Sequence, residues 1–151
     1  MRVLIACGGT GGHINPGLAI ADIIKSKYPD TEFLFAGTPK GMEAKLVPAA
    51  GYRFETIKVA GFQRRISLEN IGRNAKAVAY LITSGRRAKQ IIEGFKPDIA
   101  IGTGGYAAGP VIRKAARMGI PTAIHEQNAY PGVTNKLLSK EVDHVMLTVK
   151  E

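Results

Sequence analysis

This 151-residue chain has a single cysteine, Cys7, so no internal disulfide can form, and that sparing use suits a reducing, cytosolic compartment. With 45% hydrophobic and 22% charged residues, the composition is not that of a disordered chain. Hydrophobic runs are short, and none reaches the ~18 apolar residues of a membrane span. No leader peptide is expected at the start of the sequence, since an apolar strand and a glycine loop begin at once. Cysteines and histidines are too few and too scattered for a metal-ligand pattern, so no metal is expected. Acidic residues are scarce, 12 against 21 basic ones. The surplus is concentrated in residues 62–96, where Arg64, Arg65, Arg73, Lys76, Arg86, Arg87, Lys89 and Lys96 face only Glu69 and Glu93. A polyanionic partner fits such a window. Nucleic acid is not expected to be that partner, because the window lacks the interleaved aromatics of a base-stacking surface.

The remaining sequence is ordered by a strand–helix rhythm. Strands are predicted at 2–7, 32–36, 53–59, 98–101, 121–125 and 143–148, and helices at 16–27, 41–50, 67–94, 109–118 and 133–140. Alternation of this kind predicts an α/β fold, a Rossmann-like doubly wound and mainly parallel sheet in one domain spanning 1–151. The sequence stops just after a strand, which reads as one half of something larger. Cys7, at the end of the first strand, is expected to be a small buried apolar residue rather than a nucleophile.

The first strand leads into Gly8-Gly9-Thr10-Gly11-Gly12-His13, with Pro16 placed to open the following helix. Glycines let a backbone approach an anion, and a helix N-terminus adds free N–H groups and a positive dipole end. The loop is not a dinucleotide fingerprint, since Ile14 stands where the last glycine would be and no carboxylate ends the second strand near Gly37-Thr38-Pro39-Lys40. It is not a P-loop either, because no Gly-Lys-Ser/Thr follows. His13 supplies a group that exchanges a proton near neutral pH, and a helix N-terminus favours the neutral, base-competent imidazole. His13 is therefore the candidate base.

Two further loops join the first at the same sheet edge: Gly102-Thr103-Gly104-Gly105-Tyr106 and His125-Glu126-Gln127-Asn128 through Asn135. His13, Tyr106, Glu126 and Asn128 should converge on one cleft. Tyr106 either packs beside its loop or enters the cleft, and Asn135 either supports the last helix or lines the cleft. His125 is read as a strand-end residue rather than a catalytic one. In the helix predicted from Ser67 and the loop before it, Phe62 and Ile66 lie among cations. Either this is a core-facing helix with a basic outer face, or it is a surface for anionic membrane.

These motifs, with Pro16-Gly17-Leu18-Ala19, Gly41-Met42-Glu43-Ala44-Lys45-Leu46-Val47-Pro48, Gly109-Pro110, Pro131-Gly132 and Thr134-Asn135, resemble the N-terminal domain of the bacterial MurG family of peptidoglycan glycosyltransferases, along the whole chain. The resemblance implies half of a two-domain GT-B enzyme of glycosyltransferase family 28. Such an enzyme transfers N-acetylglucosamine from UDP-GlcNAc to lipid I with inversion and without a cofactor. It implies that this half binds the lipid-linked acceptor, with Gly8, Gly9, Gly104, Gly105 and Tyr106 in the loops holding its diphosphate. Thr10, Gly11, Gly12 and Asn128 would meet the donor where a C-terminal donor domain, absent from this chain, closes the cleft. Glu126 and Asn135 match cleft positions without an assigned role. The resemblance also implies peripheral binding at the cytoplasmic membrane face, through a patch of Phe62, Arg64, Arg65, Ile66, Arg73 and Lys76. A non-catalytic docking subunit needing a separate donor-domain partner, and a glycosyltransferase acting on another lipid acceptor such as diacylglycerol, remain the alternatives.

Overall fold

A computed structural model describes residues 1–59 and 83–149. Its strands are β1 (Arg2–Ala6), β2 (Glu32–Gly37), β3 (Arg53–Thr56), β4 (Ile99–Gly102), β5 (Thr122–Glu126) and β6 (His144–Leu147). Its helices are α1 (Gly11–Lys27), α2 (Glu43–Ala49), α3 (described over 83–95), α4 (Ala108–Arg117) and α5 (Val133–Leu138). All pairings are parallel, and the strand order is β3-β2-β1-β4-β5-β6. This is the doubly wound order expected from the strand–helix rhythm. The residues expected to form a membrane patch, Phe62, Arg64, Arg65, Ile66, Arg73 and Lys76, and the first part of the helix predicted at 67–94, lie outside the described residues.

Alternation along each strand sorts the core into two layers. On one face Leu4, Ala6, Leu34 and Ala100 pack with Ala88, Ile92 and Phe95 of α3 and Val111, Ile112 and Ala115 of α4. On the other, Val3, Ile5, Cys7, Phe33 and Phe35 pack with Ile14 and Ala21 of α1 and Val47 of α2. Leu4, Ile5 and Phe35 are fully buried, and each such side chain contributes about 1.5–3 kcal/mol of hydrophobic stabilisation. Cys7 lies inside this second layer, and burial first, then the charge of Glu43, pushes its thiol up to about 12. It is an inert core residue, as its position predicted.

Because α1 and α4 lie on opposite faces, the chain diverges after the neighbouring strands β1 and β4. A crevice therefore opens beyond their carboxyl ends, the usual ligand position in such sheets.

One boundary differs in a way that matters. Helix α1 begins at Gly11, five residues before the predicted start, and Pro16 lies inside it. Thr10 is extended (φ −141°, ψ 158°), as an N-cap residue is, and its carbonyl accepts the N–H groups of His13 and Ile14 at 3.0 and 3.2 Å. Pro16 has no N–H to give the carbonyl one turn earlier, and the chain tolerates this near the helix start. Gly11, Gly12 and His13 therefore form the first helical turn, and only Gly8, Gly9 and Thr10 make the loop.

Candidate functional site

The two glycine loops touch. Gly105 has φ +84°, and a Cβ there would collide with the Gly8 carbonyl. Gly104 has φ +106°, and a Cβ there would lie 2.5 Å from His13 Cδ2 and 2.9 Å from Nε2. The His13 ring thus lies against a surface that only glycine leaves open. Buried Thr103 joins the loops from below, its hydroxyl donating to the His13 carbonyl at 2.6 Å.

His13 Nδ1 is 3.0 Å from the Gly8 carbonyl oxygen and 3.3 Å from Thr10 Oγ1. A carbonyl only accepts, so Nδ1 carries the hydrogen, and in the neutral ring Nε2 keeps its lone pair. The ring is half-buried, with the Nε2 edge on the side of Gly104. By helix geometry the N–H groups of Gly11 and Gly12 have no acceptor within α1 and supply its positive end.

A residue that motif reading left without a role organises the first loop. Glu43, at the start of α2, is completely buried. Its Oε2 accepts the Gly9 N–H at 3.1 Å, and its Oε1 accepts the Thr38 N–H at 2.8 Å and the Thr38 hydroxyl at 2.7 Å. Burial alone would raise this carboxyl, but these hydrogen bonds outweigh it and hold the group below the usual carboxylate range. A Cβ on Gly8 would fall 2.6 Å from Glu43 Oε1, one on Gly37 would fall 2.5 Å from Glu43 Cγ, and one on Gly41 would strike the carboxylate. Three glycines, Gly8 from the first loop and Gly37 and Gly41 from the β2–α2 connection, make room for one side chain. Glu43 lies within the motif running from Gly41 to Pro48, but its reach to Gly8 and Gly9 shows only once the two loops are brought together.

At the end of β5, buried Glu126 organises the third loop. Its Oε1 accepts the Asn128 N–H at 3.0 Å and the Asn128 side-chain amide at 2.9 Å, and its Oε2 accepts the Gly132 N–H and Asn135 Nδ2, both at 3.0 Å. Here too burial raises the carboxyl and the hydrogen bonds, from the Asn128 and Gly132 backbone first, lower it further. Asn135 is buried and also donates to the His125 carbonyl at 3.0 Å, tying α5 to the strand. With about four lone-pair directions taken, Glu126 shapes the loop and has no free oxygen for a reacting group. His125, with Nε2 2.9 Å from Thr148 Oγ1, is a strand-end residue. Tyr106 and Tyr130 are exposed, at 65% and 87%, and Asn128 is also at the surface.

Part of the basic window is already neutralised. Arg87 donates to Glu55 Oε2 at 2.5 Å and to the Thr56 carbonyl at 3.1 Å, and Lys89 pairs with Glu93 at 3.5 Å. Among the described residues no group of three or more His, Cys, Asp or Glu side chains is placed to hold a metal ion. Among those residues, too, no helix is long and apolar enough to cross a membrane.

The chain matches the glycosyltransferase family 28 N-terminal domain over residues 3–147. It is 54% identical over its whole length to the UDP-N-acetylglucosamine–N-acetylmuramyl-(pentapeptide) pyrophosphoryl-undecaprenol N-acetylglucosamine transferase of Acetivibrio thermocellus, covering 40% of that protein. It is 48% identical to the protein of the same description from Listeria monocytogenes, again covering 40% of it. Its fold superposes on Acinetobacter baumannii MurG with a TM-score of 0.80 at 29% identity, covering 99% of this chain and 42% of that one. The spinosyn rhamnosyltransferase SpnG shares the fold alone, with a TM-score of 0.62 at 16% identity, covering 90% of this chain and 38% of that one. The chain therefore spans about 40% of the length of the curated relatives it matches.

Proposed function

The chain belongs to the glycosyltransferase family 28 N-terminal domain family, and from that premise we propose that it is the acceptor-binding half of an inverting glycosyltransferase. In this reading the complete enzyme moves N-acetylglucosamine from UDP-GlcNAc to lipid I, an undecaprenyl-diphosphate-linked N-acetylmuramyl pentapeptide, and yields lipid II. In this reading the donor domain lies in the remainder of the relatives' length, of which this chain covers 40%.

The observation that carries the reading is the convergence of both glycine loops on His13, with its Nδ1–H committed to Gly8. Nε2 takes the proton of the acceptor hydroxyl as its oxygen bonds to the anomeric carbon. The bond from that carbon to the diphosphate breaks, its electron pair leaves on UDP, and the centre inverts. The Gly9 N–H is committed to Glu43, so Gly8 and Gly9 serve by shape. They let the acceptor diphosphate lie against the backbone beside Gly104, Gly105 and Tyr106. The opening turn of α1 supplies the favourable potential. Thr10, Gly11, Gly12 and Asn128 face the donor at the mouth of the cleft. The two substrates suffice, and no cofactor or metal is called for.

The same reading puts the protein at the cytoplasmic membrane face, docked peripherally through the apolar and basic residues Phe62, Arg64, Arg65, Ile66, Arg73 and Lys76. The test is transfer of labelled N-acetylglucosamine by the complete enzyme to a short-chain lipid I analogue in anionic vesicles. The reading requires an inverted, β-linked lipid II product. Transfer to diacylglycerol and not to the diphosphate-linked acceptor would overturn it.

A further inference from the structure

The peptide unit joining Gly8 to Gly9 is held at both ends. Its N–H, that of Gly9, donates to Glu43 Oε2 at 3.1 Å, and its C=O, that of Gly8, accepts His13 Nδ1–H at 3.0 Å. The unit is planar and trans, so these two groups point in opposite directions from one rigid plate. The carboxylate cannot follow the plate, because Thr38 fixes its other oxygen with two hydrogen bonds of 2.8 and 2.7 Å.

The plate itself has a choice. Glycines flank it, and Gly9 has φ +92°, in a region that turns easily for glycine. Half a turn would aim the Gly8 carbonyl at the Glu43 carboxylate, so that two buried acceptors faced each other without a proton between them. It would also present an N–H to His13 Nδ1, which would then accept and leave the imidazole hydrogen on Nε2. The observed orientation does the reverse and leaves Nε2 bare on the Gly104 side.

We propose that Glu43 is a positioning residue that sets the tautomer of His13 through this single peptide plane. A charged acceptor behind the N–H permits only one orientation of the plate, and that orientation makes Nδ1 the protonated nitrogen. The carboxylate also polarises the plate, since hydrogen bonds in series strengthen one another. The Gly8 carbonyl becomes a better acceptor, and the imidazolium formed on proton uptake faces a buried negative charge across two hydrogen bonds. Burying a carboxylate costs solvation that an apolar side chain of the same shape would not lose. Space for it is nevertheless cleared at Gly8, Gly37 and Gly41, so the charge serves something packing does not.

The consequence for turnover rests on His13 being the base, whereas the tautomer does not. Selective ¹⁵N-histidine labelling of the complete enzyme, read by imidazole ¹⁵N shifts at a pH where the ring is neutral, gives the tautomer directly. The wild type must carry the hydrogen on Nδ1, and finding it on Nε2 overturns the proposal. In Glu43→Gln the population must move toward Nε2–H. kcat should then fall about 10–100-fold, while KM for the acceptor changes less than about threefold. A folded Glu43→Gln enzyme with both the tautomer and kcat of the wild type overturns the proposal. If Glu43→Gln does not fold, Glu43→Asp, which withdraws the charge from Gly9, must show the same shift in smaller measure, and an unmoved tautomer there overturns it. If the tautomer moves with Glu43 but His13→Ala keeps full turnover, the positioning stands and the base assignment falls. If the tautomer stays put and His13→Ala is inactive, the positioning falls and the base assignment stands.

Discussion

The loop after β1 borrows its buried carboxylate from Glu43, 34 residues beyond Gly9, whereas the loop after β5 carries its own in Glu126, whose partners all lie within nine residues. The second loop is a closed local network: a strand end, a turn and a helix start gathered on two oxygens. The first has no such autonomy. Its shape depends on α2 packing against α1 and β2 and on Thr38 holding the far side of the carboxylate. The difference shows in what each loop leaves available. Glu126 consumes its donors and produces a rigid wall with exposed Asn128 at its rim. Glu43 takes one N–H from this loop, that of Gly9, and leaves the first turn of α1, with His13, facing the crevice. The loop that holds the candidate base is the one built from distant parts.

The contrast is most vulnerable where the loops after β1 and β4 meet. Gly105→Ala places a Cβ on the Gly8 carbonyl at φ +84°. Left-handed strain and overpacking together should cost about 4 kcal/mol, and denaturant midpoints of the complete enzyme would measure it. A midpoint like the wild type's would mean that the loops are not in contact. Glu126→Ala comes next, at about 3 kcal/mol, since it strands the buried side-chain amide of Asn135 and removes the acceptor of the Gly132 and Asn128 N–H groups. That loss should stay local, with the backbone signals of the β1 loop unmoved. A disturbance reaching Gly9 would refute the autonomy of the β5 loop.

Acid acts on both loops at once. Glu43 and Glu126 both sit below the usual range when folded, because hydrogen bonds outweigh burial. Each therefore adds stability that is present above the unfolded carboxyl pKa of about 4.3 and is lost as pH falls through the lower folded value. Glu43→Gln and Glu126→Gln should each flatten the fall of stability below about pH 4.3. Acid-unfolding slopes equal to the wild type's would contradict this. The smallest effect is expected for Asn128→Ala. Asn128 is exposed and gives Glu126 one of its four hydrogen bonds through its side chain, so stability should drop by only about 0.5–1 kcal/mol. KM for the donor should rise, and an unchanged donor KM would remove Asn128 from the donor side of the cleft.

Legibility in the sequence follows the same division. Strand–helix alternation predicted the parallel doubly wound sheet, and each strand boundary lay within three residues of its observed place; the buried central strands declare themselves as short apolar runs. The three loops were legible as motifs because their residues are contiguous. The start of α1 was misplaced because Pro16 resembles a first-turn proline, whereas Thr10 is the residue with extended cap geometry. Glu126 was singled out beside Asn128 and Asn135, though only the coordinates show that its oxygens are fully used. Glu43 was legible only as a member of the motif from Gly41 to Pro48; Gly37, Thr38 and Gly41 lie close to it in sequence, but Gly9 and Gly8, which give it its role, lie 34 and 35 residues away.

Whether His13 is the base is decided by the turnover of His13→Ala in the complete enzyme, with UDP-GlcNAc and a lipid I analogue both saturating. A catalytic base at this position predicts a kcat lower by about 10²-fold or more in a protein that still folds and still binds both substrates. A wild-type kcat in that variant would contradict it.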